Sequence, residues 1–227
     1  MGRIVKSPDV RRNEILDVAQ RLFYSQGYEQ TAVQDIINEI GIAKGTFYHH
    51  FNAKEALLDA LMERLLEQSL DILAPIVDDE TLPALDKLHR FFDIASHLKL
   101  ENETWIRALM PIWYQDNNAI MREKLRIISL NGVTPLLTQI IHQGIGEGVF
   151  RTDYPDEIGR VIMQISQGLS DTLAKLILTS NKEPVTWEEV RRKVIVYHVA
   201  IARLLDAEPG SIHLVDIDRY RHWFEGA

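Results

Sequence analysis

Thr31-Ala-Val-Gln-Asp-Ile-Ile-Asn-Glu-Ile-Gly41-Ile-Ala-Lys-Gly-Thr-Phe-Tyr-His-His-Phe51-Asn-Ala-Lys-Glu-Ala-Leu57 is the stretch that decides how this chain folds. Thr31 followed three residues later by Gln34 reads as a capping box, in which side chains and backbone N–H groups satisfy each other at a helix start. Ile36, Ile37 and Ile40 then recur at helical spacing and form one apolar stripe. Gly41 ends this short helix, where a left-handed turn needs a residue without Cβ, and Ile42 returns to the core. Lys44 to Phe51 reads as a second short helix with Phe47 and Phe51, four apart, facing inward. Asn52, with Glu55 three residues on, is the expected cap of the next helix. A longer helix over 9–26 comes first, so the pattern predicts three helices, the last two joined by a tight glycine turn: a helix-turn-helix.

The outward residues of the second short helix suit a nucleic-acid groove. Lys44 and Thr46 can reach base edges or phosphates, Gly45 lets the backbone come close, and Tyr48, His49 and His50 carry polar tips on flat bodies. Lys54 is a candidate phosphate contact, and the helix start at Thr31 can aim N–H groups at a phosphate. Three outward rings on one short helix, with nothing apolar to bury them, call for an external partner; the plain alternative is a helical subdomain that binds no nucleic acid.

Over Thr31 to Leu57 the chain resembles the DNA-binding signature of TetR-family transcriptional regulators. The resemblance rests on Gly41-Ile42, Lys44-Gly45-Thr46, Tyr48, Phe51 and Lys54-Glu55-Ala56-Leu57, together with the Phe23 to Gly27 end of the first helix. Ala43 departs from the pattern, standing where a serine often caps the recognition helix, a loss of about 0.5–2 kcal/mol locally. The resemblance implies a homodimer whose two recognition helices read a roughly palindromic double-stranded operator. It also implies a C-terminal helical domain that binds a small apolar or amphipathic effector and thereby releases a repressor from DNA.

Charge has to be located before it is interpreted. The 227 residues carry a net −8, with no cysteine, 46% hydrophobic and 26% charged residues. That composition is globular, and the missing cysteine excludes disulfides and thiol chemistry. Global acidity argues against phosphate binding, yet residues 1–60 hold 7 basic and 8 acidic side chains, so the acidity belongs to the rest of the chain. Arg3, Lys6, Arg11 and Arg12 face a single acid, Asp9, in the first twelve residues, an arm suited to a minor groove or to solvent.

Helical periodicity continues to the C-terminus, which predicts an all-α fold: a helix-turn-helix domain over 1–52 and a larger ligand-binding and dimerisation domain over 53–227, linked by a helix over 53–74. Helices 155–179 and 187–206 are apolar on more than one side and so need two partners. They are the expected dimer interface, through Ile162, Ile165, Leu169, Leu173, Val194, Tyr197, His198 and Ile201. Phe92, Trp105, Met110, Trp113, Tyr114, Met121, Met163 and Gln167 form an aromatic and methionine-rich set suited to an adaptable effector pocket. His89, Asp93 and His97 share a helix side, and the alternative reading is a helical metal-binding protein or enzyme. No nucleophile–base arrangement, phosphate loop or signal segment is present, so the expectation is a non-enzymatic protein without cofactor, cytoplasmic and without membrane contact.

Overall fold

The computed structural model describes residues 7–101, 110–179 and 185–224. All regular structure among them is helical. The helices are α1 (Pro8–Gln26), α2 (Val33–Ile40), α3 (Lys44–His50), α4 (Lys54–Asp78), α5 (Ala84–Glu101), α6 (Ala119–Gly146), α7 (Pro155–Thr179) and α8 (Trp187–Leu204), with 3-10 turns at Asp116–Asn118 and Ile217–Trp223. α7 coincides with its predicted span. α4 runs past its predicted end through Pro75. Asp71, whose carbonyl loses its donor there, is exposed, so water can replace the missing bond.

The chain divides into two compact units: Met1–Glu67 with Arg107–Ile128, and Gln68–Ile106 with Ser129–Ala227. The first holds the helix-turn-helix and continues into α4 and the start of α6. Its core joins Ile15, Leu16, Ala19 and Phe23 of α1 to Ile36 and Ile37 of α2, to Phe47 and Phe51, and to Leu57, Leu58, Leu61 and Met62 of α4. Met121, from the first turn of α6, is fully buried in the same core. Arg64 ties α4 to α1 through Asp17 and Gln20.

In the second unit α7 packs on α8. The Thr172 hydroxyl meets the Tyr197 phenol at 3.0 Å, and a Cβ on Gly168 would lie 3.7 Å from the Tyr197 ring. Thr186 caps α8: its hydroxyl accepts from the Glu189 N–H while the Glu189 carboxylate takes the Thr186 N–H, the predicted capping box. The Thr186 N–H and the Thr186 hydroxyl both donate to the Glu189 carboxylate, at 2.9 Å each, and hold its carboxyl below its ordinary range. No described helix is long and apolar enough to cross a membrane.

Candidate nucleic-acid interface

The turn between α2 and α3 forms as glycine dictates. Gly41 sits at φ 72°; its N–H bonds the Asn38 carbonyl and the Ile42 N–H bonds the Ile37 carbonyl, the paired bonds of a Schellman turn. α3 then buries Phe47 completely against Phe51, ring centroids 6.1 Å apart. No side chain caps α3 at Ala43.

Burial of one face leaves the other open. Lys44, Gly45, Tyr48 and His49 are exposed, and Thr46 and His50 half-buried. The Tyr48 ring leans edge-on to Phe47 at 5.3 Å, and the Lys44 ammonium lies 5.8 Å from the Tyr48 centroid. A Cβ on Gly45 would meet nothing within 4 Å. The His49 and His50 rings stand 5.1 Å apart. Partial burial, then His49, Arg11 and Arg12, hold the His50 pKa below its ordinary value. Arg11 and Arg12 thus add positive potential to the α3 face from within α1, although Arg11 is paired with Glu14 and Arg12 lies over Phe51. Arg3 and Lys6 lie outside the described residues.

Two of the predicted DNA contacts face inward. Thr31 is 1% exposed; its hydroxyl donates to the Gly27 carbonyl at 2.7 Å and accepts from Gln26. The α2 cap moves one residue on, because the Asp35 carboxylate, not Gln34, takes the free N–H, that of Ala32 at 2.8 Å; Gln34 bonds Asn38 instead. Lys54 donates to the carbonyls of Tyr28 at 3.0 Å, Thr31 at 3.2 Å and Glu29 at 3.4 Å, and sits 4.3 Å from the Tyr28 ring centroid. An ammonium has three N–H donors, and all three are engaged within the protein. α4 starts at Lys54, too late for Asn52 to be its cap.

The same turn is braced from a distant part of the chain. Asn118 is fully buried; its Oδ1 accepts from the Tyr28 N–H at 2.7 Å and its amide donates to the Ile112 carbonyl at 3.0 Å. The Glu29 N–H bonds the Asn117 carbonyl, and the Asn117 side chain fills the space a Cβ on Gly27 would need. Burial, together with Glu55, Asp59 and Glu29, pushes the Tyr28 phenol up to about 12.

A short helix with one buried and one polar open face, after a glycine turn on a rigid three-helix core, is the geometry of a major-groove reader. The family model described as "Bacterial regulatory proteins, tetR family" matches residues 15–61, and that described as "Tetracyclin repressor-like, C-terminal domain" matches residues 113–186. The HTH-type transcriptional repressor KstR2 of Mycobacterium tuberculosis is 30% identical over 157 residues, 67% of this chain and 76% of that protein. This chain belongs to the TetR family. The repressor DhaR of a Mycobacterium species is 24% identical over 175 residues, covering 77% of this chain and 86% of its own. Among solved structures, the fatty acid degradation regulator FadR from Bacillus halodurans shares the fold at a TM-score of 0.60 and 21% identity, covering 90% of this chain and all of its own. A TetR regulatory protein from Rhodobacter sphaeroides does so at 0.60 and 20% identity, over 86% and 99%. The fold and family make this TetR-family member a non-enzymatic, DNA-binding transcriptional regulator.

The predicted effector set divides between the two units. Met121 is part of the first unit's core, and Trp113 packs against that core, edge-on to Tyr24 at 5.9 Å. Met121 is fully buried there and Trp113 half-buried. Met110 and Tyr114 are half-buried in the same segment, with the Arg122 guanidinium 5.5 Å from the Tyr114 ring centroid. Phe92, buried against Phe91, and Met163 and Gln167, half-buried on α7, belong to the second unit. Trp105 lies outside the described residues.

The predicted dimer set divides by exposure within one chain. Ile162, Leu169, Val194 and Ile201 are buried within one chain, and Ile165, Leu173, Tyr197 and His198 are half-buried. The large apolar side chains still exposed on α7 and α8 are Val161, Ile195, Val196 and Val199. As for metal, His89 Nε2 is bonded to the Ser211 carbonyl, the His97 side chain lies outside those described, and no group of three or more candidate ligands among the described residues can hold an ion.

Proposed function

We propose that this regulator is a ligand-responsive repressor that binds a roughly palindromic operator as a homodimer and is released by a small apolar or amphipathic effector. The observation that carries the reading is the division of labour within the helix-turn-helix. Lys44, Gly45, Tyr48 and His49 are open on α3 while the neighbouring polar groups of the motif are satisfied internally. Open cationic and aromatic groups on a rigid scaffold fit a duplex groove.

The dimer reading is supported by the apolar side chains left exposed on α7 and α8, of which Val196 is 62% exposed. The two helices together can form a four-helix interface with a second copy. Release requires only that the effector bind better to the conformation that does not fit DNA, and affinity falls by that difference. An electrophoretic shift on DNA from its own promoter region, with sedimentation to give the oligomeric state, tests the reading. A complex of one dimer per site at low salt is expected; an intact dimer that shifts no promoter DNA overturns it.

A further inference from the structure

After α8 the chain doubles back along that helix as a strap, residues 205–224. The Arg151 N–H holds its first carbonyl, that of Leu205, at 2.7 Å. The strap reverses through Asp206, at φ 45°, and Gly210, at φ 82°. Ile212, Leu214, Val215 and Trp223 are then buried. At the far end the Phe224 ring stands 6.3 Å from Trp187, the first residue of α8. Apolar burial is what holds such a strap down.

Its middle rests on imidazoles. The His213 ring stands 5.5 Å from His89 of α5 and 5.7 Å from His198 of α8, nearly perpendicular to the latter at 89°. His89 Nε2 donates to the Ser211 carbonyl at 2.8 Å. His198 Nε2 is buried and finds no hydrogen-bond partner among the described residues. An imidazolium carries an N–H on both ring nitrogens. Charging His198 therefore puts an unanswered donor in that buried place, whichever nitrogen takes the proton. The charged groups lining the same cleft, among the described residues, are Asp93 of α5, Arg191 of α8, and Asp216 and Asp218 of the strap. Asp216 is paired with Arg219, and no carboxylate reaches His198 Nε2. Burial first, then His213 and His89, push the His198 pKa from 6.5 down to about 4.

We propose that the strap is a proton-operated latch: it stays docked on α5 and α8 while the His198 ring is neutral, and protonation of His198 releases it, because the freed ring can give both N–H groups to water. The docked ring holds its proton less tightly than the free one. Docking is therefore at full strength above about pH 6.5 and weakens as the pH falls from there towards 4. Between about pH 8 and pH 5 that difference favours the released form about thirtyfold. Release frees the flank of α8 around Ile195 and Val199, which adjoins the dimer face proposed above. The latch itself needs neither operator nor effector, and its test uses no DNA, so it and the repressor reading can fail separately.

The chain has no cysteine, so a single introduced thiol can report docking in the full-length protein. Val215→Cys places it on the buried side of the strap and Glu208→Cys on an exposed part. The rate of reaction with 4,4′-dithiodipyridine at position 215, divided by that at 208, follows the released fraction and cancels the thiol's own pH dependence. This ratio should rise about thirtyfold between about pH 8 and pH 5 while far-UV circular dichroism stays constant. With His198→Leu or His198→Gln added, and thermal melts to verify folding, it should stay within about threefold over the same range. A flat ratio with His198 in place overturns the latch. A rise that persists in either folded His198 variant overturns it too, by placing the proton elsewhere. So does a rise that accompanies loss of the helical signal, which is global acid unfolding.

Discussion

The outer face of α3 and the turn from Gly27 to Thr31 carry similar polar residues, yet their side chains do opposite things. Lys44 on α3 is exposed, whereas Lys54 gives all three of its protons to carbonyls of the turn. Thr46 is half-buried on the recognition helix, whereas Thr31 is enclosed and bonded to Gly27. A motif that presents a rigid surface needs both kinds of residue: one set left open, which we propose meets DNA, the other satisfied internally so that the first set holds its geometry.

Substitutions should separate the two regions. The largest stability loss is expected for Asn118→Ala, which strands the buried Tyr28 N–H: about 2–3 kcal/mol by denaturant unfolding. A loss under 0.5 kcal/mol would mean that the turn does not depend on this brace. Lys54→Met, which keeps the stem over the Tyr28 ring, should cost about 2 kcal/mol by the same measurement. Tyr48→Ala and Lys44→Gln should leave stability within about 0.5 kcal/mol while weakening operator binding by about 1–2 kcal/mol, read as a five- to thirtyfold rise in Kd. Gly45→Ala is the sharpest case on the open face. A methyl group there meets no protein atom, and alanine favours a helix by up to about 1 kcal/mol, so a more stable protein with weaker DNA binding is expected. Equal or tighter binding would show that no backbone approach occurs at Gly45.

The smallest effect concerns pH. In the free protein His50 titrates below its ordinary value, through partial burial and then its cationic neighbours. Bound phosphates would raise that pKa, so DNA binding takes up protons and affinity rises as pH falls from about 8 to 6. His50→Gln should flatten part of this slope in a binding titration across that range; an unchanged slope would place the proton uptake elsewhere.

The open face was legible from sequence because exposure follows from local rules: a glycine stop, inward Phe47 and Phe51 at four-residue spacing, and every other side chain of a seven-residue helix directed outward. The braced turn was not, because its partners are remote. Tyr28 and Asn118 are 90 residues apart, and no periodicity marks Asn118 as part of the head. Thr31 misled for a local reason: its hydroxyl can cap α2 or close the end of α1, and the nearby Gly27 carbonyl won. Met121 lies in the core of the first unit, which sequence could not place, because apolar composition signals burial without saying in which core.

Salt dependence of operator binding tests the division between the two regions most directly. Each cation engaged with the DNA backbone contributes about one to the slope of log K against log salt. With folding of each variant verified, Lys44→Gln should lower that slope by about one while Lys54→Met leaves it unchanged. A slope that falls for Lys54→Met as it does for Lys44→Gln would place the Lys54 ammonium on DNA and contradict the account.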